Sequence, residues 1–104
     1  MAKYKVEELP KGFVKVYGVK TYEHGEVDLT LRPLNWDDKV FLRNVDPNDK
    51  QQLCQSYARM ISEWSLEEPV LATTLLQDDF VHLCTVVDAL IRTFFLETIE
   101  FVTS

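Results

Sequence analysis

Residues 80–102 read FVHLCTVVDALIRTFFLETIEFV, and the spacing of their apolar positions decides the architecture. A seam of Phe80, Cys84, Val87, Ile91, Phe94, Thr98 and Phe101 advances by alternating steps of four and three, which predicts one continuous helical face. Leu83 and Leu90 run beside that seam, with Phe95 and Val102 on its other flank. His82, Thr85, Arg92, Thr93 and Glu100 fall mainly opposite. Val81, Leu96 and Ile99 widen the apolar sector beyond the stripe of a surface helix. Such a helix needs cover on more than one side, and a chain of 104 residues leaves room for a second molecule to supply part of it.

Working back from Phe80, Gln77-Asp78-Asp79 reads as the cap of this long C-terminal helix. Thr73 or Thr74 begins a brief helical turn with Leu75 and Leu76, and Glu67-Glu68-Pro69 breaks the pattern before it. A helix is expected from Pro47 to about Trp64, with Asp46 as its N-cap and Pro47 at its first position. It places Leu53, Tyr57, Met60, Ile61 and Trp64 at helical spacing. A shorter helix, about Trp36 to Asn44, follows the N-cap Asn35, with Asp37 and Asp38 favourably placed in its first turn. Upstream the pattern changes. Val27, Leu29 and Leu31 alternate with polar residues as one face of a strand, and Phe13 to Tyr22 is rich in strand-forming residues with Gly18 marking a bulge or bend. The Glu23-His24-Gly25-Glu26 turn joins the two into a β-hairpin, and His24 is expected in solvent at its tip. Two strands are marginal alone, so the hairpin should lie on the helices. The expected fold is α+β: a β-hairpin over residues 13–32 against about three main helices in residues 33–104, one domain, with residues 1–12 as a loosely held arm.

Charge is unevenly placed. The net formal charge is −6, and all of that excess falls on residues 53–104, because the first half balances. An acidic helical half repels phosphate backbones, so nucleic acid is not an expected partner. Residues 80–102 are long enough to span a bilayer, but Asp88, Arg92, Glu97 and Glu100 argue against a membrane segment. Met1-Ala2-Lys3-Tyr4-Lys5 opens without the apolar core of a signal peptide. The two cysteines, Cys54 and Cys84, lack metal-type spacing and suit small buried hydrophobes in a reducing compartment, so a cytoplasmic location is expected.

No pattern announces a reaction. Asp78, Asp79 and His82 lie within one turn, but a metal site needs further ligands and the only other histidine is His24. Cys84 and His82 are two apart on a helix and point away from each other. The three glycines form no phosphate loop. No catalytic residue, metal or cofactor is expected, and the expected activity is non-enzymatic. The candidate partner-binding or self-association surface is the end of the long helix, Phe94, Phe95, Leu96, Ile99, Phe101 and Val102, because a turn this apolar is hard to cover within a small domain. Its expected consequence is a homo-oligomer. A second reading rests on the acids: Glu63, Glu67, Glu68, Asp78 and Asp79 suit a small acidic adaptor that blocks a nucleic-acid-binding protein by charge mimicry.

The order of elements carries a resemblance. A hairpin, a short helix after Pro33-Leu34-Asn35-Trp36, a helix ending in Trp64, then Trp64-Ser65-Leu66-Glu67-Glu68-Pro69-Val70, Leu75-Leu76 and Asp78-Asp79-Phe80 resembles the small tail assembly chaperones of long-tailed bacteriophages. The likeness spans about residues 25–100. It implies a non-enzymatic phage protein that self-associates, binds the helical tape measure protein in the host cytoplasm and keeps it soluble during tail assembly. No catalytic residue is implied.

Overall fold

A computed structural model describes residues 4–94 of the chain. Strand β1 (Lys5–Glu8) leads through a 3-10 turn at Pro10–Gly12 into β2 (Val14–Lys20) and β3 (Glu26–Leu31). Helices α1 (Trp36–Asn44) and α2 (Lys50–Met60) follow, then β4 (Ile61–Trp64), the short α3 (Ala72–Leu75), a 3-10 turn at Asp78–Phe80, and α4 (Val81–Phe94). The four strands form an antiparallel sheet in the order β1-β2-β3-β4. The α+β class with its hairpin and C-terminal helix is as expected, but the sheet is twice as wide as the hairpin alone.

Both added strands replace an expectation. Residues 5–8, expected within a loose arm, pair with β2 from Lys5↔Tyr17 to Glu8↔Val14. Only Val6 among them is partly covered, so the strand lacks an apolar alternation; charged residues are what an exposed edge strand tolerates. The second correction is at Ile61–Trp64, expected as the last turn of a helix. Helix α2 stops at Met60 because Arg32 takes its final carbonyls: the Arg32 backbone N–H donates to Met60 O at 2.9 Å and its Nε to Arg59 O at 2.6 Å. The chain then pairs with β3, Ile61 opposite Leu31 and Trp64 opposite Leu29. Residues three apart on a regular strand face opposite ways, but an irregularity in this pairing turns both toward the helices. A similar shift between Val16 and Val19 points both valines inward, with Gly18 at φ +74° and its N–H bound to Asp28 Oδ1 at 2.9 Å.

The core lies between one sheet face and the helices. Val14, Val16, Val19, Val27, Leu29 and Leu31 from the sheet meet Leu83, Val86, Val87, Leu90 and Ile91 of α4 and Met60 of α2, all buried. The apolar sector read from residues 80–91 therefore covers the sheet, except Val81, which is 57% exposed, and the half-buried Cys84, which turns toward α2 and α3. The other sheet face is polar, with Glu7 opposite Lys15, and Thr30 opposite both Lys15 and Glu63.

The starts of α1 and α2 follow local chemistry with one shift. By contrast, α3 begins at Ala72 rather than Thr73 or Thr74, and neither Leu71 before it nor Gln77 before the Asp78–Phe80 turn caps with a side chain, Asp79 being drawn to the hairpin instead. Asn35 caps α1 as expected, and Asp38, expected only to complement the helix dipole, returns the bond in a reciprocal capping box. The cap of α2 is Asp49, not Asp46: the Asp49 side chain accepts from the N–H groups of Gln51 and Gln52 at 3.0 and 3.2 Å. Asp46 instead accepts from Asn48 N–H at 2.9 Å, a side-chain turn that competes with helix initiation. Asp49→Ala should therefore cost about 1 kcal/mol in urea unfolding, and Asp46→Ala less; the reverse order would return the cap to Asp46.

Candidate functional site: a groove between α2 and α4

Tyr57 and Leu53 recur one turn apart on α2 and face Asp88 of α4. The buried Tyr57 hydroxyl donates to Asp88 Oδ1 at 3.1 Å, and Arg92 Nε donates to Asp88 Oδ2 at 2.9 Å. Burial, reinforced by the Asp88 carboxylate, pushes the phenol far above its usual range, so Tyr57 is a permanent neutral donor. Leu53, Tyr57 and Asp88 line two cavities in common. One, of about 290 Å³, continues to Leu42, Val45, Pro47 and Ile91 at the α1 end. The other, of about 340 Å³, continues to Cys54, Leu75, Leu76, Val81 and Cys84 at the α3 end. The two adjoin at the Tyr57–Asp88 hydrogen bond and form a two-part, largely apolar groove along α2 and α4, with the exposed Leu76 and Val81 on the rim of the α3 part and Lys50, Asp78, Arg43 and Arg92 among the polar lining.

The cysteines in the groove are not activated. Burial raises both thiols, Cys84 to about 12, and Cys84 Sγ donates to Leu75 O at 3.7 Å. Both stay neutral near pH 7, as poor nucleophiles. Comparison with protein-family models, curated proteins and solved structures finds no match. The site therefore has to be read from its own chemistry.

Phe94 ends α4 by its backbone; its side chain, and Phe95, Leu96, Ile99, Phe101 and Val102, lie outside the described residues. Asp78, Asp79 and His82 do not converge. Asp78 borders the groove, His82 is exposed, and Asp79 is buried and directed at the hairpin, where it accepts from Glu23 N–H at 2.6 Å and pairs with His24. No group of three His, Cys, Asp or Glu among the described residues is placed to hold a metal ion. Of the acids weighed for charge mimicry, Glu68 also pairs with His24 and Glu63 accepts from Thr30 at 3.4 Å; three of the five are engaged internally. No helix among the described residues is long and apolar enough to cross a membrane.

His24, expected in solvent at the hairpin tip, is instead held by the fold. Its ring is a quarter exposed, sits between the carboxylates of Asp79 and Glu68, and stacks on Phe80 at 5.3 Å, which stacks on Trp64 at 5.6 Å. Partners 44 and 55 positions away in the chain leave no local signal of this pairing; the sequence shows only a short turn, whose Gly25 adopts φ +68° in the structure.

Proposed function

We propose that this chain is a non-enzymatic assembly factor that binds an amphipathic helix of a partner protein, self-associates, and works as the phage tail assembly chaperones it resembles do on a tape measure-type partner in the host cytoplasm. The observation that carries this reading is the α2–α4 groove with Leu76 and Val81 exposed on its rim. Helix-in-groove recognition uses such a surface: apolar anchors every third or fourth residue enter the groove and charged flanks meet its edge. The groove's edge carries both signs, Lys50, Arg43 and Arg92 beside Asp78 and Asp88, which suits a partner helix with charges of both signs beside its apolar stripe. Phe94, Phe95, Leu96, Ile99, Phe101 and Val102 supply the apolar sequence proposed for self-association.

The test joins two measurements. Light scattering after gel filtration across a concentration series should give a mass above that of the 12.1 kDa chain, and Leu96→Asp with Phe101→Asp should shift it toward monomer. Val81→Asp alters an exposed side chain and should leave the fold intact, yet weaken binding of a tape measure-type helical peptide at least about tenfold, the effect of removing one interface anchor. Binding unchanged by Val81→Asp would remove the groove from this role, and a strict monomer at every concentration would remove self-association.

A further inference from the structure

The His24 cluster joins three parts of the chain that the sheet does not hold together. His24 comes from the β2–β3 turn, Asp79 from the 3-10 turn before α4, and Glu68 from the segment after β4. Its Nδ1 faces Asp79 and its Nε2 faces Glu68. A neutral imidazole carries one N–H and one lone pair, so only the imidazolium donates to both carboxylates at once. Asp79 also accepts from Glu23 N–H, fastening the hairpin tip by backbone as well as side chain. The corner that holds Asp79 and Phe80 is also a groove wall, since Leu75, Leu76, Asp78 and Val81 line the cavity on its other side.

We propose that His24 is a proton-controlled clasp: doubly hydrogen-bonded between Asp79 and Glu68 and stacked on Phe80, it fixes the hairpin tip to the α3–α4 corner and so sets one wall of the groove. The charged groups facing it are these two carboxylates. Hydrogen bonding to Asp79 outweighs burial and, with Glu68, raises the His24 pKa above its ordinary 6.5. Burial pushes Asp79 up, but the hydrogen bonds from His24 and the Glu23 backbone, with the nearby Tyr22 backbone, outweigh it and hold the carboxyl below its ordinary 3.8. A raised histidine stabilises the closed form below 6.5 and loses that contribution as pH rises through its folded value. A depressed aspartate stabilises it above 3.8 and loses that contribution as pH falls through its own. The clasp thus has its full set of bonds in a window between these two titrations; alkaline pH loosens it through His24 alone, by removing one of the two carboxylate contacts while the Glu23 N–H bond to Asp79 remains.

The proposal does not depend on what the groove binds, and NMR on the wild-type chain tests it without a partner. The His24 ring signals should titrate with a midpoint above 6.5, and the Glu23 amide and Val81 methyl signals should shift with that same midpoint. In Glu68→Gln, which keeps an uncharged partner at Nε2, the midpoint should fall toward the ordinary value. A His24 midpoint at or below 6.5 overturns the clasp. Glu23 and Val81 signals that stay constant through the His24 titration overturn its link to the groove.

Discussion

Asp38→Ala is expected to lower the unfolding free energy by about 3 kcal/mol, the range seen when one partner of a buried ion pair is removed, or roughly 10–20 °C in melting temperature. Asp38 is 1% exposed and every direction around its carboxylate is used. Arg32 Nη1 and Nη2 donate to its two oxygens at 2.5 and 2.7 Å, Arg59 Nη2 donates at 3.1 Å, and Asn35 N–H donates at 3.0 Å. Removing it leaves two guanidinium groups facing each other without a counter-charge and opens the capping box of α1. The same Arg32 holds the last carbonyls of α2, so one carboxylate aligns the end of β3, the start of α1 and the end of α2. Burial alone would raise the Asp38 pKa, yet Arg32, Asn35 and Arg59 together lower it. Its stabilising contribution is therefore complete above the ordinary 3.8 and lost as pH falls through its folded value. Urea unfolding of both chains between pH 7 and pH 3 should show the gap between wild type and Asp38→Ala narrowing as pH falls. A loss under 1 kcal/mol at pH 7 would mean that the two arginines find enough solvent to make the pair dispensable.

Asp38 also marks where sequence reading stops. Its place in the first turn of α1 follows from Asn35 and the acidic pair beside it, because capping is decided within four residues. Its burial does not, since Arg32 and Arg59 approach from the end of β3 and the end of α2. The hairpin was legible for the same local reason: Val27, Leu29 and Leu31 alternate, and Gly18 marks the irregularity that turns Val19 inward. Strand β4 was hidden because Tyr57, Met60, Ile61 and Trp64 have spacings that both a helix and a bulged strand satisfy, and the interception by Arg32 decides between them. Strand β1 was hidden because an edge strand with one half-covered residue has no alternation to read. In the candidate site, Leu53 and Tyr57 could be placed on one helical face from spacing alone. That Asp88 would face Tyr57 across a groove, or that His24 would be clasped rather than solvated, depends on partners 31 to 55 residues distant.

Phe80→Ala should produce the largest single loss from the apolar core, about 4 kcal/mol by the behaviour of buried phenylalanines. Phe80 is fully buried and is the middle ring of three, parallel within 29° to His24 and within 17° to Trp64. Truncation leaves a cavity that Trp64 cannot fill by swinging inward, because its Nε1–H is tied to Glu68 O at 2.7 Å. Phe80→Leu keeps most of the volume and loses the stacking, and should cost roughly 1.5 kcal/mol. The difference between the two separates packing from ring geometry. Trp64 reports it directly: in a Trp36→Phe background, which removes the other, largely exposed tryptophan, Phe80→Ala should shift folded-state emission to the red and Phe80→Leu should shift it less. Because Phe80 also forms the floor under His24, Phe80→Leu should lower the His24 midpoint without abolishing its pairing with Asp79. Equal losses for the two variants would show that the stack matters more than the volume, and the corner between α3 and α4 would then be held chiefly by its aromatic contacts.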